Sequence, residues 1–352
     1  MTTVLCTLYN SLYLDKGLVL YDALCECAKD FKLYVLCMDD KCYEVLTDLH
    51  QEHHIPIRLS DFEEGDIPLR EAKGNRSFAE YCWTCSSSLI LYVLEKYKEP
   101  ICTYIDSDLY FYQDPQILID GMIHAKKSVM ITPHRFTKVN KELEANGIYC
   151  VEFNVFLNNP DALAVLKQWR NDCLECCTSV NDGVHFGDQK YLDEWPQKYN
   201  CVYVCPHLGA GVAPWNMQSY KLHSVDGNNI KLYVKGNLNV VDLIFYHFHY
   251  ITFINENEVD LHVAQNKPGV QNKLVRTIYS DYLKKIKRKK IELEEKYGIV
   301  SVIKSHPAYA NVLIEKDPIW KRLLNYSFQK FVNRLLITYN KRIDHFWLSE
   351  LN

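Results

Sequence analysis

The feature that most constrains this chain is a regular alternation of strand-like and helix-like runs from Val4 to Ile105. Val4–Leu8, Phe31–Met38, Ile55–Leu59 and Ile101–Ile105 are short and rich in β-branched, aromatic and aliphatic residues, which reads as strands. Between them, Lys16–Ala28, Tyr43–His54 and Phe78–Tyr97 carry apolar residues at helical spacing. Strands alternating with helices predict an α/β fold with a mostly parallel sheet between helix layers. Ligands of such sheets lie beyond the carboxyl ends of the strands. Two acidic groups fall at those ends: Asp39-Asp40 after the second run and Asp106-Ser107-Asp108 after the fourth.

The rest of the sequence narrows the class. At 352 residues and 48% hydrophobic content, the chain can bury one large core or two. Neither a phosphate-cradling G-x-x-x-x-G-K-[ST] loop nor a G-x-G-x-x-G fingerprint is present, so P-loop hydrolysis and dinucleotide binding lose their main support. The opening Thr2–Leu8 has no basic stretch followed by an apolar run, which predicts no secretion leader. With 14 cysteines, that suggests a reducing, cytoplasmic setting. Cys82-x-x-Cys85 and Cys173-x-x-Cys176-Cys177 have zinc-like spacing, but both sit in helical apolar patterns and read as buried, inert thiols.

The chemistry centres on Asp106-Ser107-Asp108. An Asp-x-Asp following a buried strand puts two hard oxygen donors at the sheet rim, and Mg²⁺ or Mn²⁺ held there keeps positions open for phosphate oxygens. Such an ion neutralises a diphosphate leaving group.

Five blocks, in order, carry a resemblance: Ala79–Cys85 (AEYCWTC), Tyr104–Pro115 (YIDSDLYFYQDP), Phe186–Asp193 (FGDQKYLD), His207–Asn216 (HLGAGVAPWN) and Phe245–Tyr250 (FYHFHY). Together they resemble the nucleotide-sugar glycosyltransferases of GT-A fold, in particular bacterial enzymes of polysaccharide gene clusters and, distantly, the glycogenin and lipopolysaccharide-galactosyltransferase family. The resemblance spans about residues 1–250. It implies a Rossmann-like GT-A domain that moves a sugar from a nucleotide-diphosphate donor to a glycan or lipid-linked glycan, with Mn²⁺ or Mg²⁺ as cofactor.

It also implies site residues. The family's H-x-x-G-x-x-K-P-W motif supplies a third metal ligand and a diphosphate-binding lysine. His207, Pro214 and Trp215 keep its spacing, but Ala213 replaces the lysine, leaving Lys221 or Arg76 to supply the cation. The metal set expected is therefore Asp106, Asp108 and His207. His247 and His249 are the alternative, because two histidines flanking a Phe on a strand share one face. Asp188 and Gln189 correspond to the family's acceptor-side pair, a general base and a polar group at the anomeric carbon. Asp188 also reads as a helix N-cap. Thr7 and Tyr9 follow the first strand, where the fold holds the base and ribose. Arg76, Asp106, Asn154 and Trp215 complete the donor side expected from the resemblance.

Charge is uneven. Residues 273–352 carry 17 Lys and Arg against 8 Asp and Glu, while the remaining 23 cations face 36 acids. The polar stretch Asn255–Asn272 separates the two regions, giving a transferase domain over 1–265 and a basic helical appendage over 266–352. Leu274–Tyr297 and Ile319–Phe346 read as helices. Six cations in Lys284–Lys290, followed by an apolar stripe from Trp320 to Leu336, suggest peripheral contact with an anionic inner membrane face. Two rival functions remain. A nucleotidyltransferase acting on sugar phosphates would carry a glycine-rich cationic loop after strand one, and Thr7–Asn10 does not. A basic-tail nucleic-acid-binding protein fits poorly with the acidic body, so no nucleic acid partner is expected.

Overall fold

A computed structural model describes residues 2–236, 239–255, 258–261, 273–300 and 345–347. Strand β1 (Thr3–Tyr9) leads into helix α1 (Leu14–Cys27), and β2 (Phe31–Cys37) into α2 (Asp40–Leu49). The second helix starts earlier and stops sooner than its apolar pattern suggests. Asp39 caps it by accepting from the Cys42 amide at 2.7 Å, and His50 ends it in the left-handed region at φ 48°. The acidic pair at this rim is thus taken up locally: Asp39 also accepts from Ser11, and Asp40 pairs with Arg58 at 2.7 Å.

Strand β3 (His54–Arg58) is followed by two short helices, α3 (Leu59–Glu63) and α4 (Ile67–Gly74), and then by the long α5 (Phe78–Lys96). Ser77 and Glu80 form a reciprocal capping box that fixes where α5 begins. Strand β4 (Ile101–Ile105) ends at the acidic turn, and β5 (Leu109–Phe111) leaves it. Helix α6 (Gln116–His124), β6 (Val129–Pro133), β7 (Tyr149–Leu157), α7 (Pro160–Glu175), the single turn α8 (Trp195–Lys198) and β8 (Val202–Val204) complete the main layers.

The central sheet has the order β3-β2-β1-β4-β7-β6-β8. Every neighbouring pair is parallel except those involving β7, which runs against both β4 and β6. This is the mostly parallel α/β arrangement expected from the alternation. Reversing β7 brings its first half to the carboxyl end of β4, where the Asp106 amide donates to the Glu152 carbonyl at 3.2 Å.

Beyond the sheet, β9 (Tyr220–Asp226), β10 (Asn229–Val234) and β11 (Val240–Asp242) form an antiparallel meander. Strand β12 (Phe245–His247) pairs with β5, placing Phe245 opposite Phe111 and His247 opposite Leu109. The stretch read as a linker begins in β13 (Thr252–Asn255) and continues as β14 (Glu258–Asp260); its remainder lies outside the described residues. Helix α9 (Lys273–Tyr297) matches the first basic helix expected. Its apolar stripe is buried: Leu274, Ile278, Tyr279, Tyr282 and Ile286 join a second core with Tyr110, Tyr246 and Phe248. Four of its cations pair with acids of the body, Lys285 with Glu26, Lys289 with Asp22, Lys290 with Asp15 and Lys296 with Asp48, at 2.9–3.3 Å. His345–Trp347 is a strand, β15, added to β14, so the second basic helix does not reach Phe346. The rest of that segment, including the Trp320–Leu336 stripe, lies outside the described residues. No helix among the described residues is long and apolar enough to cross a membrane.

Candidate active site

The site forms where β4, β5, β7 and β12 meet. The β5–β12 pairing does the assembly. It carries His247 back to the acidic turn, and the Phe248 amide donates to the Asp108 carbonyl at 3.0 Å. His247 Nε2 then lies 3.1 Å from Asp108 Oδ1 and 3.7 Å from Asp106 Oδ2. On its other side, Nδ1 lies 2.6 Å from Glu152 Oε2. A carboxylate accepts, so Nδ1 keeps a proton toward Glu152, and Nε2 is the nitrogen turned toward Asp106 and Asp108. Gly211 makes this fit possible: it adopts φ 68°, and a Cβ there would come within 2.8 Å of Glu152 Oε1.

Charge is concentrated here. Burial, offset by His247 and reinforced by Asp108, Asp188 and Glu152, pushes the Asp106 carboxyl up to about 7. Burial also acts on Asp108, but the charge and hydrogen bond of His247, with His249 and Lys16, hold it below the ordinary carboxylate range. His247 is raised well above its usual value, because Asp108 and Glu152 outweigh the burial that opposes its charge. Like charges this close resist ionising together.

The ligand chemistry suits a divalent cation. Asp108, His247 and His249 place one donor atom each within 4.8 Å of one another, and Asp106, Cys150 and His247 do the same. Carboxylate oxygen with imidazole nitrogen is a donor set for Mn²⁺-type ions. Trp215 walls this group, edge-on to His247 at 5.3 Å and to His249 at 5.5 Å, with its indole nitrogen donating to the His134 carbonyl.

His207 stands apart. It is half-buried, its Nδ1 accepts from the Gly209 amide at 3.1 Å, and it belongs to neither donor group. Its charged neighbours are Arg135 and Asp242. The motif spacing thus survives without bringing the imidazole to the carboxylates. Of the two sets left open by the sequence, the structure gathers His247 and His249.

Asp188 is buried, and its carboxylate accepts from the Ser86 hydroxyl at 2.7 Å. It is no helix cap: the 3-10 turn Lys190–Glu194 starts after Gln189 and has no side-chain cap. Burial, partly offset by the Ser86 bond, pushes Asp188 up to about 7. Gln189 donates to the Asn146 carbonyl at 2.8 Å. Asn154 sits opposite Tyr104 in the sheet, fully buried, with neither amide atom partnered. Thr7 is likewise buried with its hydroxyl unpartnered.

Two expected donor contacts are taken by the fold. Tyr9 is 3% exposed; its ring fills the space of the missing Gly17 side chain and its hydroxyl meets His54 Nε2 at 3.3 Å. Arg76 donates to the Cys173, Leu174 and Cys177 carbonyls at 2.9–3.4 Å, closing the end of α7. Lys221 is exposed on β9. Sequence reasoning passed over Glu152, Cys150 and Lys16. The signal for the first was a glutamate inside an otherwise apolar strand run, YCVEFNVFL.

No known family profile matches this chain. It is similar to solved structures of a mouse xyloside xylosyltransferase 1, with 13% identity, TM-score 0.45, and 71% of this chain and 98% of that one covered. It is similar also to the galactosyltransferase LgtC in complex with donor and acceptor sugar analogs, with 10% identity, TM-score 0.47, and 70% and 87% covered. Among curated sequences, the uncharacterized protein YfnF of Bacillus subtilis (strain 168) is 27% identical over 267 residues, covering 74% of this chain and 85% of its own. The uncharacterized protein YfnD of the same organism is 33% identical over 259 residues, covering 72% of this chain and 80% of its own. Identity at that level across most of both proteins shows that this chain belongs to the YfnD family.

Proposed function

We propose that this chain is a divalent-metal-dependent glycosyltransferase that moves a sugar from a nucleotide-diphosphate donor to a glycan, free or lipid-linked. The observation that carries the reading is the convergence of Asp106, Asp108, His247 and His249 at the carboxyl rim of the sheet. These four would hold Mn²⁺ or Mg²⁺. When bound, the ion supplies charge neutralisation for the departing nucleoside diphosphate.

The chain's own groups divide the remaining work. Asp188, pushed up to about 7, takes the acceptor hydroxyl proton on its carboxylate. Asn154 offers an unpartnered donor and acceptor in a dry setting, as recognition of a sugar hydroxyl requires. Gln189 lies beside Asp188 on the acceptor side, and Trp215 packs edge-on against both histidines, of which His247 is buried and His249 exposed. Lys16 answers the missing lysine at position 213. Its ammonium is buried, lies 3.6 Å from Asp15 and 4.3 Å from the Tyr13 ring centre, and interacts with Asp108. Such a cation suits a diphosphate. Contact with an anionic membrane would rest, for α9, on the exposed Lys284, Lys287 and Arg288, since its apolar stripe is buried.

The test is a panel of nucleotide sugars incubated with full-length protein and Mn²⁺, read by release of nucleoside diphosphate. At least one donor should be hydrolysed, and EDTA should stop it. No release from any donor at any protein concentration would remove the reading.

A further inference from the structure

Cys150 has no part in the transfer chemistry above, yet it lies against the site. It sits on β7 two residues before Glu152, so both side chains leave the same face of the strand. It is 5% exposed and packs with Ala213 and Trp215. Burial pushes its thiol up, and the neighbouring His247 opposes that shift. Cys150 Sγ, an Asp106 oxygen and a His247 nitrogen all fall within 4.8 Å of one another.

We propose that Asp106, Cys150 and His247 form a second metal position, selective for Zn²⁺, that competes with the Mn²⁺ or Mg²⁺ position of Asp108, His247 and His249 for both His247 and Asp106. Three protein ligands of O, S and N type with a fourth position left open is a zinc-like set. Tetrahedral bonds of about 2.0–2.3 Å put ligand atoms roughly 3.3–3.8 Å apart, so the group closes onto an ion with small side-chain movements. Any N,O set ranks Zn²⁺ above Mn²⁺, and the thiolate sulfur widens that preference at the Cys150 position. Binding releases the thiol proton to solvent.

The two positions exclude one another for a geometric reason. Glu152 holds His247 Nδ1 at 2.6 Å, which leaves only Nε2 for a metal. One nitrogen cannot serve two ions, so a zinc ion bound through Cys150 removes His247 from the other position. Zn²⁺ bound through Cys150 thereby displaces an ion from the other position. This inference rests on the geometry of the cluster and not on the sugar-transfer reading, and metal binding alone tests it without any donor.

The experiment uses reduced, metal-stripped, full-length protein. Zn²⁺ affinity is measured by competition with a chromophoric chelator, Mn²⁺ affinity by the paramagnetic resonance of the free ion, and sulfur ligation by Co²⁺ charge-transfer absorption. Cys150→Ser should weaken Zn²⁺ binding roughly tenfold or more, leave Mn²⁺ affinity within about twofold, and abolish the cobalt–thiolate band. His249→Gln should do the reverse, weakening Mn²⁺ while leaving Zn²⁺ and the band intact, and it serves if the serine variant melts early. Unchanged Zn²⁺ affinity and an intact band in Cys150→Ser would overturn the proposal. So would simultaneous, stoichiometric binding of Zn²⁺ and Mn²⁺ by the wild type.

Discussion

Glu152 Oε2 lies 2.6 Å from His247 Nδ1, and this contact decides which ring nitrogen faces Asp106 and Asp108. Glu152 is fully buried, so its orientation is set by packing around β7 and Gly211. Outer partners of this kind typically contribute 10–100-fold to metal affinity. Glu152→Gln keeps the volume but removes the charge. It should weaken Mn²⁺ binding by about that range in calorimetry, with a far smaller change in melting temperature. Unchanged affinity would reduce Glu152 to a space-filling residue.

The histidines can be ranked. His249→Ala and His247→Ala should each lower Mn²⁺-dependent nucleotide binding by roughly tenfold or more, whereas His207→Ala should change it by less than about twofold. Calorimetry with a nucleoside diphosphate and Mn²⁺ reads the difference. A larger loss in His207→Ala would return the third ligand to the loop at 207.

Asp188 gives a pH prediction. A general base works as the carboxylate, and its carboxyl is pushed up to about 7 by burial. Turnover at saturating donor should therefore rise through about pH 7 and level off above it. Asp188→Asn should lower turnover about 10²–10⁴-fold with nucleotide affinity little changed. A variant that keeps its turnover, or a flat profile from pH 6 to 8, contradicts the assignment.

His54 gives a prediction on acid stability. Burial lowers it from 6.5 to about 3, and the neutral ring accepts from Tyr9 while Nδ1 donates to Gln51 Oε1. Between those values the unfolded chain binds a proton that the folded chain does not. Stability is thus lost as pH falls from 6.5 toward 3, by up to about 1.4 kcal/mol per pH unit from this group. Denaturant midpoints measured from pH 7 to 4 should fall less steeply in His54→Gln than in the wild type; parallel slopes would exclude the effect.

How far the sequence could be read follows from the range of the interactions. The strand–helix alternation and the acidic turn after β4 are local patterns, and both are where periodicity placed them. The capping box at Ser77–Glu80 is also local. The β5–β12 pairing is not: nothing in YIDSDLYFY or FYHFHY says that they meet, so His247 could not be set above His207 without the fold. Tyr9 shows a subtler limit. The sequence pattern places it after strand one, but it is instead that strand's last residue, and the pocket left by Gly17 decides which way the ring points. The stripe on α9 was legible as amphipathic, while its partner, the surface of Tyr110, Tyr246 and Phe248, is assembled only in three dimensions.

The central claim is that Asp106 and Asp108 hold a divalent ion on which nucleotide binding depends. The most direct measurement is calorimetric titration of nucleoside diphosphates into wild type, Asp106→Asn and Asp108→Asn, each with Mn²⁺ and with EDTA. Wild type with Mn²⁺ should bind at least one of them, EDTA should abolish that binding, and each variant should lose roughly tenfold or more in affinity while melting near the wild-type temperature. Binding at wild-type strength in EDTA, or in either variant, would contradict the account.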